Sequence, residues 1–217
     1  MGQYEAALPC FEKSVEFDPE NWAAWDNRGR TLLKLKRYNE AIGFFDKVLH
    51  NKPNNIVVIG LKATALAYLG SFEKAIECWD AILELDPENI SALLNKGWGL
   101  ADIGKFDEAY KLFEKVTNKD SKMKEAWVGK GYVLLKLDKD KEAIESFNKA
   151  LEIYPKDVGA LYNKACSLSK LKRVKEALEI LREASLIDRN VIEQAKRDKD
   201  FENIKDDPDF IKLIGKQ

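Results

Sequence analysis

The sequence has little of the material from which catalytic and metal sites are built. It contains one histidine, His50, and three cysteines, Cys10, Cys78 and Cys166, with no CxxC pair among them. Zinc sites and disulfide frameworks need more of these residues at closer spacing. No Ser-His-Asp or Cys-His arrangement can be assembled from this inventory. The sequence therefore predicts a protein that is not an enzyme and that holds no metal and no cofactor.

Net charge and long apolar runs are also lacking. The 36 Lys and Arg residues nearly balance the 37 Asp and Glu residues, for a net charge of -1, so no overall field attracts nucleic acid or anionic lipid. The apolar run at residues 54–61 is far shorter than the roughly 20 residues that cross a bilayer. The N-terminal residues match neither a signal peptide nor a myristoylation motif. We expect a cytoplasmic protein that binds neither nucleic acid nor membrane.

What the sequence does contain is a repeat. Pro19, Pro53 and Pro87 lie 34 residues apart, and Pro155 lies two further intervals of the same length beyond Pro87. A column of small residues follows the same interval and consists of Ala7, Ala41, Ala75, Ala109, Ala143 and Ala177. Four residues after each of these stands a large apolar residue, namely Phe11, Phe45, Trp79, Phe113, Phe147 and Leu181. This regularity predicts an array of 34-residue units.

Each unit is predicted to be a helical hairpin. Apolar residues recur at i, i+4 and i+7 in two stripes, formed by Ile59, Ala63 and Leu66 and by Ala75, Trp79 and Ile82. Gly70 and Ser71 separate the stripes with a short stop, so the two helices must run antiparallel. Pro87 ends the second helix, and Asn89 is placed to cap the next one.

These columns resemble those of the tetratricopeptide repeat family, whose unit is a hairpin of helix A and helix B. The resemblance covers about residues 2–191 and implies an all-α fold, a right-handed α-solenoid closed by a C-terminal capping helix pair. The predicted segments are a lone helix B at 2–21, full repeats at 22–55, 56–89, 90–123, 124–157 and 158–191, and the cap at 192–217. Asp140 and Val174 replace the aromatic residue that opens other B helices, which predicts looser turns there.

The two ends depart from the repeat. The lone helix leaves Ala7 and Phe11 without the helix A that normally covers them. Either an upstream helix is missing or a second molecule covers the strip and forms a homodimer. At the other end, Pro208 is predicted to start a helix. The apolar residues predicted to cover the last repeat are Phe201, Ile204, Phe210, Ile211 and Ile214.

In the tetratricopeptide repeat family, one stripe of helix A lines a concave groove that binds peptides. Carried onto this chain, the resemblance selects as partner-binding residues Asn27, Arg30, Leu61, Tyr68, Asn95, Trp98, Tyr132, Tyr162 and Asn163. Some side chains of the stripe can instead seal adjacent A helices together. The asparagines, which recur in every second repeat, either hold a peptide backbone or make local structural bonds. Cys166 either faces the groove or packs.

The function implied by the resemblance is that of a non-catalytic interaction scaffold or adaptor, which binds a peptide or helix of a partner protein. Two alternatives stay open: an interaction or targeting domain cut from a larger protein, such as a multidomain enzyme, and a self-associating assembly module. Relatives that grip the C-terminal carboxylate of heat-shock chaperones use a Lys and Asn clamp. Asp26, Gly60 and Leu94 stand at the corresponding positions, so we expect no binding of such a carboxylate.

Overall fold

The computed structural model describes residues 2–215, apart from the side chain of Gln3, and in that part of the chain it contains helices but no strand. Contacts divide the chain into two compact units, unit 1 (Met1–Gly104) and unit 2 (Lys105–Gln217). The helices of unit 1 are α1 (Gly2–Phe17), α2 (Trp22–Lys34), α3 (Tyr38–Asn51), α4 (Ile56–Tyr68), α5 (Phe72–Leu85) and α6 (Ile90–Asp102). Those of unit 2 are α7 (Phe106–Lys119), α8 (Lys124–Lys136), α9 (Asp140–Ile153), α10 (Val158–Lys170), α11 (Val174–Ile187), α12 (Asn190–Ala195), a 3₁₀ helix (Lys199–Ile204) and α13 (Pro208–Gly215).

Within each unit, consecutive helices pack side by side as antiparallel hairpins. In unit 1 each helix from α1 to α6 packs against the next, and α2 also contacts α4. In unit 2 the same holds from α7 to α11, and α8 also contacts α10. Stacking of hairpins on their neighbours is the arrangement of an α-solenoid. The predicted all-α hairpin fold is confirmed.

Four of the five A helices start at a side-chain cap, whereas Met123 before α8 forms none. The side chains that accept a backbone N–H bond at these N-termini belong to Asn21, Asn55, Asn89 and Asp157. Asn89 accepts from the amide of Ala92 at 3.0 Å, so its predicted capping role is confirmed. A cap of this kind stabilises a helix by about 1 kcal/mol.

The turns inside the hairpins share one backbone conformation. A residue with positive φ follows every A helix, and these residues are Lys36, Gly70, Gly104, Asp138 and Lys172. The amides of Ser71, Lys139 and Arg173 each bond back across the turn to an A-helix carbonyl at 2.9 Å. The turns before α9 and α11 are therefore as tight as the turn before α5, and the prediction of looser turns there is wrong. The backbone bond closes the turn without help from the aromatic residue.

The cores of two hairpins, α2–α3 and α8–α9, depend on a close approach between helix A and an aromatic ring of helix B. Phe45 is fully buried, and a Cβ atom on Gly29 would lie 2.5 Å from its Cε1 atom. Gly131 stands in the same relation to Phe147, also at 2.5 Å. A small residue on helix A is therefore required where helix B presents a phenyl ring.

Neighbouring hairpins are also joined by a series of ion pairs that the sequence analysis missed. Each links a cation on helix A to an acid at a constant sequence separation on the preceding helix B, and the pairs are Arg28 with Glu12, Lys62 with Asp46, Lys96 with Asp80 and Lys130 with Glu114. Partly exposed pairs of this kind contribute about 0–1 kcal/mol each. The column of cations, one in each repeat, was visible in the sequence and would have revealed them.

At the N-terminal end, α1 packs on α2 through Leu8 and Val15, which are buried. Phe11, a member of the predicted apolar column, is half-buried. Tyr4 and Phe17 are 45% and 94% exposed. The helix thus leaves aromatic surface uncovered in this structure.

At the C-terminal end, the 3₁₀ helix packs against α10, and α13 packs against α11 and α12. Phe201, Ile204 and Phe210 are buried there, as predicted, and Ile214 packs at the edge of the same core. Ile211 is 52% exposed, so the prediction that it covers the last repeat is wrong. It lies on the outer side of α13, next to Phe210 in sequence and therefore about 100° away from it around the helix.

Candidate peptide-binding surface

The predicted binding stripe of unit 1 contains two adjacent cavities between α4 and α6. One has a volume of about 270 Å³ and is lined by Thr64, Ala67, Tyr68, Phe72, Trp79, Asn95, Trp98, Gly99 and Asp102. The other has a volume of about 260 Å³ and is lined by Ile56, Val57, Gly60, Trp79, Ile82, Asn89, Ser91, Ala92 and Asn95. Because Trp79 and Asn95 line both, the cavities adjoin. We call them together the α4–α6 groove.

Small residues on α4 and a large one on α5 give the groove its depth. Gly60 and Ala67 leave space on the α4 wall, and the Thr64 hydroxyl turns inward to donate to the carbonyl of Gly60 at 2.8 Å. Trp79 forms the floor and is 4% exposed. Its ring approaches α6 closely, since a Cβ atom on Gly99 would lie 2.7 Å from Cζ3 of Trp79. The bottom of the groove is therefore apolar except for the indole Nε1 atom of Trp79, which is buried without a hydrogen-bond partner among the described residues.

Aromatic side chains stand at the rim of the groove. Tyr68 is 66% exposed and stacks on Tyr38, with ring centroids 5.0 Å apart and planes 12° from parallel. Trp98 is half-buried and lines the same cavity as Tyr68. Amphipathic rings of this kind are enriched at the energetic centres of protein interfaces. Tyr38, on helix B, was missed by a search confined to A helices.

The predicted asparagines have unengaged amides. The side chains of Asn27, Asn95 and Asn163 make no hydrogen bond with any residue in the described range 2–215. The local structural bonds that were the alternative explanation for these residues are thus not observed within that range. Asn95 lies where the two cavities meet, and an amide can both donate to and accept from a peptide backbone.

Charge on the groove is confined to one carboxylate. Among the described residues that line either cavity, Asp102 is the only acidic or basic one, and burial raises the pKa of its carboxyl group. On α2, the predicted binding residue Arg30 is already paired with Asp26, whose Oδ2 atom lies 2.9 Å from Nε. The other described residues that line the groove are uncharged.

The remaining predicted residues have different environments. Leu61 packs against the core of unit 1. Tyr132, in unit 2, is half-buried, with the Nζ atom of Lys136 5.4 Å from its ring centroid. Tyr162 is 5% exposed. Its position is covered by the chain itself, so its side chain serves internal packing in this structure.

The cover over Tyr162 is the segment that leads into the 3₁₀ helix. The Tyr162 hydroxyl donates to the Asp198 carboxylate at 2.7 Å, and its ring lies 5.8 Å from that of Phe201. Burial and this hydrogen bond raise the pKa of Tyr162. The C-terminal segment thus covers Tyr162, one of the residues of α10 that the resemblance assigned to a partner.

Cys166 lies under the same segment. Its thiol is buried, and the Sγ atom lies within 4.8 Å of a carboxylate oxygen of Asp198 and of Asp200. Burial raises the pKa of the Cys166 thiol well above its ordinary value and also raises the pKa of Asp200. A protonated, enclosed thiol is a weak nucleophile. Of the two explanations for Cys166, packing agrees with its burial.

Larger depressions lie off the predicted stripe. One of about 440 Å³ in unit 1 is lined by Pro19, Trp22, Trp25, Asp46, Lys47 and His50. The Nζ atom of Lys47 lies 4.2 Å from the ring centroid of Trp25, so that surface already holds a cation of its own. Another of about 440 Å³ in unit 2 includes Tyr110, Trp127 and Lys130. Neither was anticipated from the sequence.

No helix in residues 2–215 combines the length and the apolarity needed to cross a membrane.

Family models match most of the chain. The model described as tetratricopeptide repeat matches residues 1–56 and 61–113, together half of the chain. The model described as anaphase-promoting complex, cyclosome, subunit 3 matches residues 102–184. No curated protein gives a significant match.

Solved structures with a similar fold include YrrB, described as a tetratricopeptide repeat protein with an unusual peptide-binding site. It is 21% identical, with a TM-score of 0.67 over 86% of this chain and 97% of YrrB. A fragment of MamA from Desulfovibrio magneticus RS-1 is 20% identical, with a TM-score of 0.73 over 79% of this chain and 97% of the fragment. At these identities the likeness concerns the fold.

Proposed function

Because the chain belongs to the tetratricopeptide repeat family, we propose that it is a non-catalytic scaffold or adaptor that binds a peptide segment or helix of a partner protein. The α4–α6 groove is the principal contact surface of unit 1. The residues that we assign to partner binding are Asn27, Arg30, Tyr68, Asn95, Trp98, Tyr132 and Asn163. Leu61 and Tyr162 are left out of this set because Leu61 packs against the core of unit 1 and Tyr162 is buried under the C-terminal segment.

The observation that carries the proposal is the unengaged amide of Asn95 between two apolar cavities. A peptide laid along the groove would place side chains in the cavities and a backbone amide group against Asn95. The cavity volumes, about 270 and 260 Å³, lie below the range of about 300–1,000 Å³ found for small-molecule sites. Each cavity taken by itself is therefore of a size for individual side chains of a polypeptide.

A pair of glycine substitutions tests the proposal without harming the fold. Gly60 lines the groove, and a Cβ atom there would meet only Ile82 Cδ1, at 3.7 Å. Gly43, in α3, has open space around it and lines neither cavity of the groove. Leucine is a better helix former than glycine, so Gly60→Leu and Gly43→Leu should both remain folded, and only the first fills the groove.

Peptides for the test are selected from a random phage-displayed library against the full chain, and their affinities are measured by calorimetry. We expect Gly60→Leu and Trp98→Ala to weaken binding by about tenfold or more, as for a residue at an interface centre, and Gly43→Leu to bind like the wild type. Equal affinity of all these proteins would refute the groove assignment. Failure to select any saturable peptide would refute the function.

Self-association is a second candidate, favoured by the exposed aromatic rings of Tyr4 and Phe17 on α1. Two copies packed through α1 would remove these rings from water. Sedimentation of the wild type and of Phe17→Ser at increasing concentration tests this. A wild-type protein that stays monomeric throughout would exclude the homodimer.

A cytoplasmic location is proposed on the basis of the three free cysteines, of which Cys10 is exposed. Unpaired thiols are typical of reducing compartments. Fractionation of cells that produce the protein would test the location, and recovery with secreted or membrane fractions would contradict it.

A further inference from the structure

Asp102 departs from the other repeats in the sign of its charge. It is the last residue of α6, and the same position of the A helices is occupied by Lys34, Lys136 and Lys170 in three other repeats and by Tyr68 in α4. A lysine at a helix C-terminus interacts favourably with the helix dipole, and a carboxylate there interacts unfavourably. Helix propensity and dipole therefore give no reason for an aspartate at this position.

The part of the protein that the structure describes places no opposite charge against the Asp102 carboxylate. No salt bridge or hydrogen bond to its side chain is formed by the residues that the structure describes. No basic residue stands in the last turn of α6. Asp102 is exposed at the rim of the cavity, so its carboxylate keeps water on one side and loses part of its hydration on the side of the apolar wall. An opposite charge within a few ångströms would offset that cost.

The walls beside Asp102 are also suited to a cation. Tyr68 and Trp98 line the same cavity as Asp102. The exposed Tyr68 ring is held in place by its stack on Tyr38. A lysine or arginine side chain packs its methylene groups on such rings and is attracted by their π-faces.

We propose that the α4–α6 groove selects a segment in which a bulky apolar residue is adjacent to a lysine or arginine. The apolar side chain fills the cavity between Tyr68 and Trp98, and the cation pairs with Asp102. This inference rests on the proposed function of the groove and adds the chemistry of its ligand. Asp102 is then the residue that determines specificity, while Asn95 holds the backbone irrespective of sequence.

The test starts from a peptide selected on the full chain as described above. Three versions carry lysine, norleucine or glutamate at the position next to the apolar anchor, and calorimetry measures each on the wild type, on Asp102→Asn and on Asp102→Lys. On the wild type we expect lysine to bind about fivefold more tightly than norleucine, the upper end for a partly exposed ion pair. Glutamate should bind more weakly than norleucine.

On Asp102→Asn the lysine and norleucine versions should bind equally, and on Asp102→Lys the glutamate version should become the preferred one. Asp46→Asn serves as the control, because Asp46 is a carboxylate of the same unit that is already paired with Lys62 and lines neither cavity. It should keep the wild-type preference. Circular dichroism confirms that each variant is folded.

The outcomes separate the two proposals. Saturable binding with no preference for lysine on the wild type, or a preference that Asp102→Asn retains, overturns the specificity inference and leaves the groove function intact. Absence of any saturable peptide overturns both.

Discussion

Gly29 offers a quantitative test of how the hairpins pack. It lies inside α2, and a Cβ atom there would meet three carbon atoms of the Phe45 ring at 2.5, 2.9 and 3.1 Å. Phe45 is fully buried, so its ring has no free space into which it can move. Gly43 lies inside α3 with nothing within 4 Å of a Cβ atom. The two glycines share the helical backbone and differ in their neighbours.

The magnitudes follow from two opposed effects. Replacement of a glycine by alanine inside a helix gains about 1 kcal/mol of helix propensity. Insertion of a methyl group into a filled core costs about 1–3 kcal/mol. Gly43→Ala should therefore raise the free energy of unfolding by about 1 kcal/mol. Gly29→Ala should lower it by about 1 kcal/mol, a difference of about 2 kcal/mol between the variants.

A second substitution should rescue the first. In the last full repeat, Ala165 stands at the position of Gly29 and Leu181 at that of Phe45. Phe45→Leu should therefore destabilise the wild type and make room for Gly29→Ala. We expect the double variant to be more stable than the sum of the single effects predicts, by about 0.5 kcal/mol or more.

Urea denaturation followed by far-ultraviolet circular dichroism measures the free energy of unfolding of the wild type and of the four variants. If Gly29→Ala were as stabilising as Gly43→Ala, or if the double variant showed simple additivity, the ring of Phe45 would not be packed against α2. The steric explanation for the column of small residues would then be refuted.

Four further substitutions probe the turns, the cap and the ion pairs. Lys172 has a φ of 58°, so Lys172→Gly should stabilise by about 1 kcal/mol in urea denaturation, and a loss would contradict the strain. In calorimetric unfolding, Phe201→Ala should lower the free energy of unfolding by about 3–5 kcal/mol and Ile211→Ala by less than about 0.5 kcal/mol. Equal losses would disprove the assignment of Phe201 to the buried side of the C-terminal cap and of Ile211 to its outer side. Lys96→Met removes the ion pair with Asp80 and should lower the free energy of unfolding by less than about 1 kcal/mol. This loss should shrink as salt is added. A large loss that salt does not change would count against a surface ion pair.

The hairpin fold could be predicted because the same pattern of apolar residues recurs in several repeats of the sequence. A single apolar stripe such as Ile59, Ala63 and Leu66 is weak evidence, but the same stripe at a constant interval averages out local exceptions. The all-α class and the cap at Asn89 followed from that repetition. The tightness of the turn before α9 did not, because it depends on a backbone bond that Asp140 neither makes nor prevents.

The candidate site could be predicted only in part. The repeat identifies which face of each A helix points away from helix B, and the resemblance to the tetratricopeptide repeat family implies that this face lines a groove, which selected Asn95 and Trp98 as candidates. The repeat gives no information on segments that lie outside it, such as residues 192–217. The burial of Tyr162 beneath Phe201 could therefore not be predicted from it. The role of Asp102 was missed for a different reason: its significance is a departure from the column of lysines, whereas the search looked for shared residues.

The ion pairs between hairpins show how this chain can change its length. In unit 1 they recur once in each repeat, always between a helix B and the helix A that follows it. Excision of residues 38–71 removes one whole period, joins α2 directly to α5 and leaves the pairs at Arg28 and Lys96 in phase. Excision of one residue more or fewer would turn α5 by about 100° against α2 and carry its apolar face away from the new hairpin. Such an array can therefore be lengthened or shortened only by whole repeats. One complete hairpin is the smallest insertion or deletion that preserves the contacts between the remaining helices.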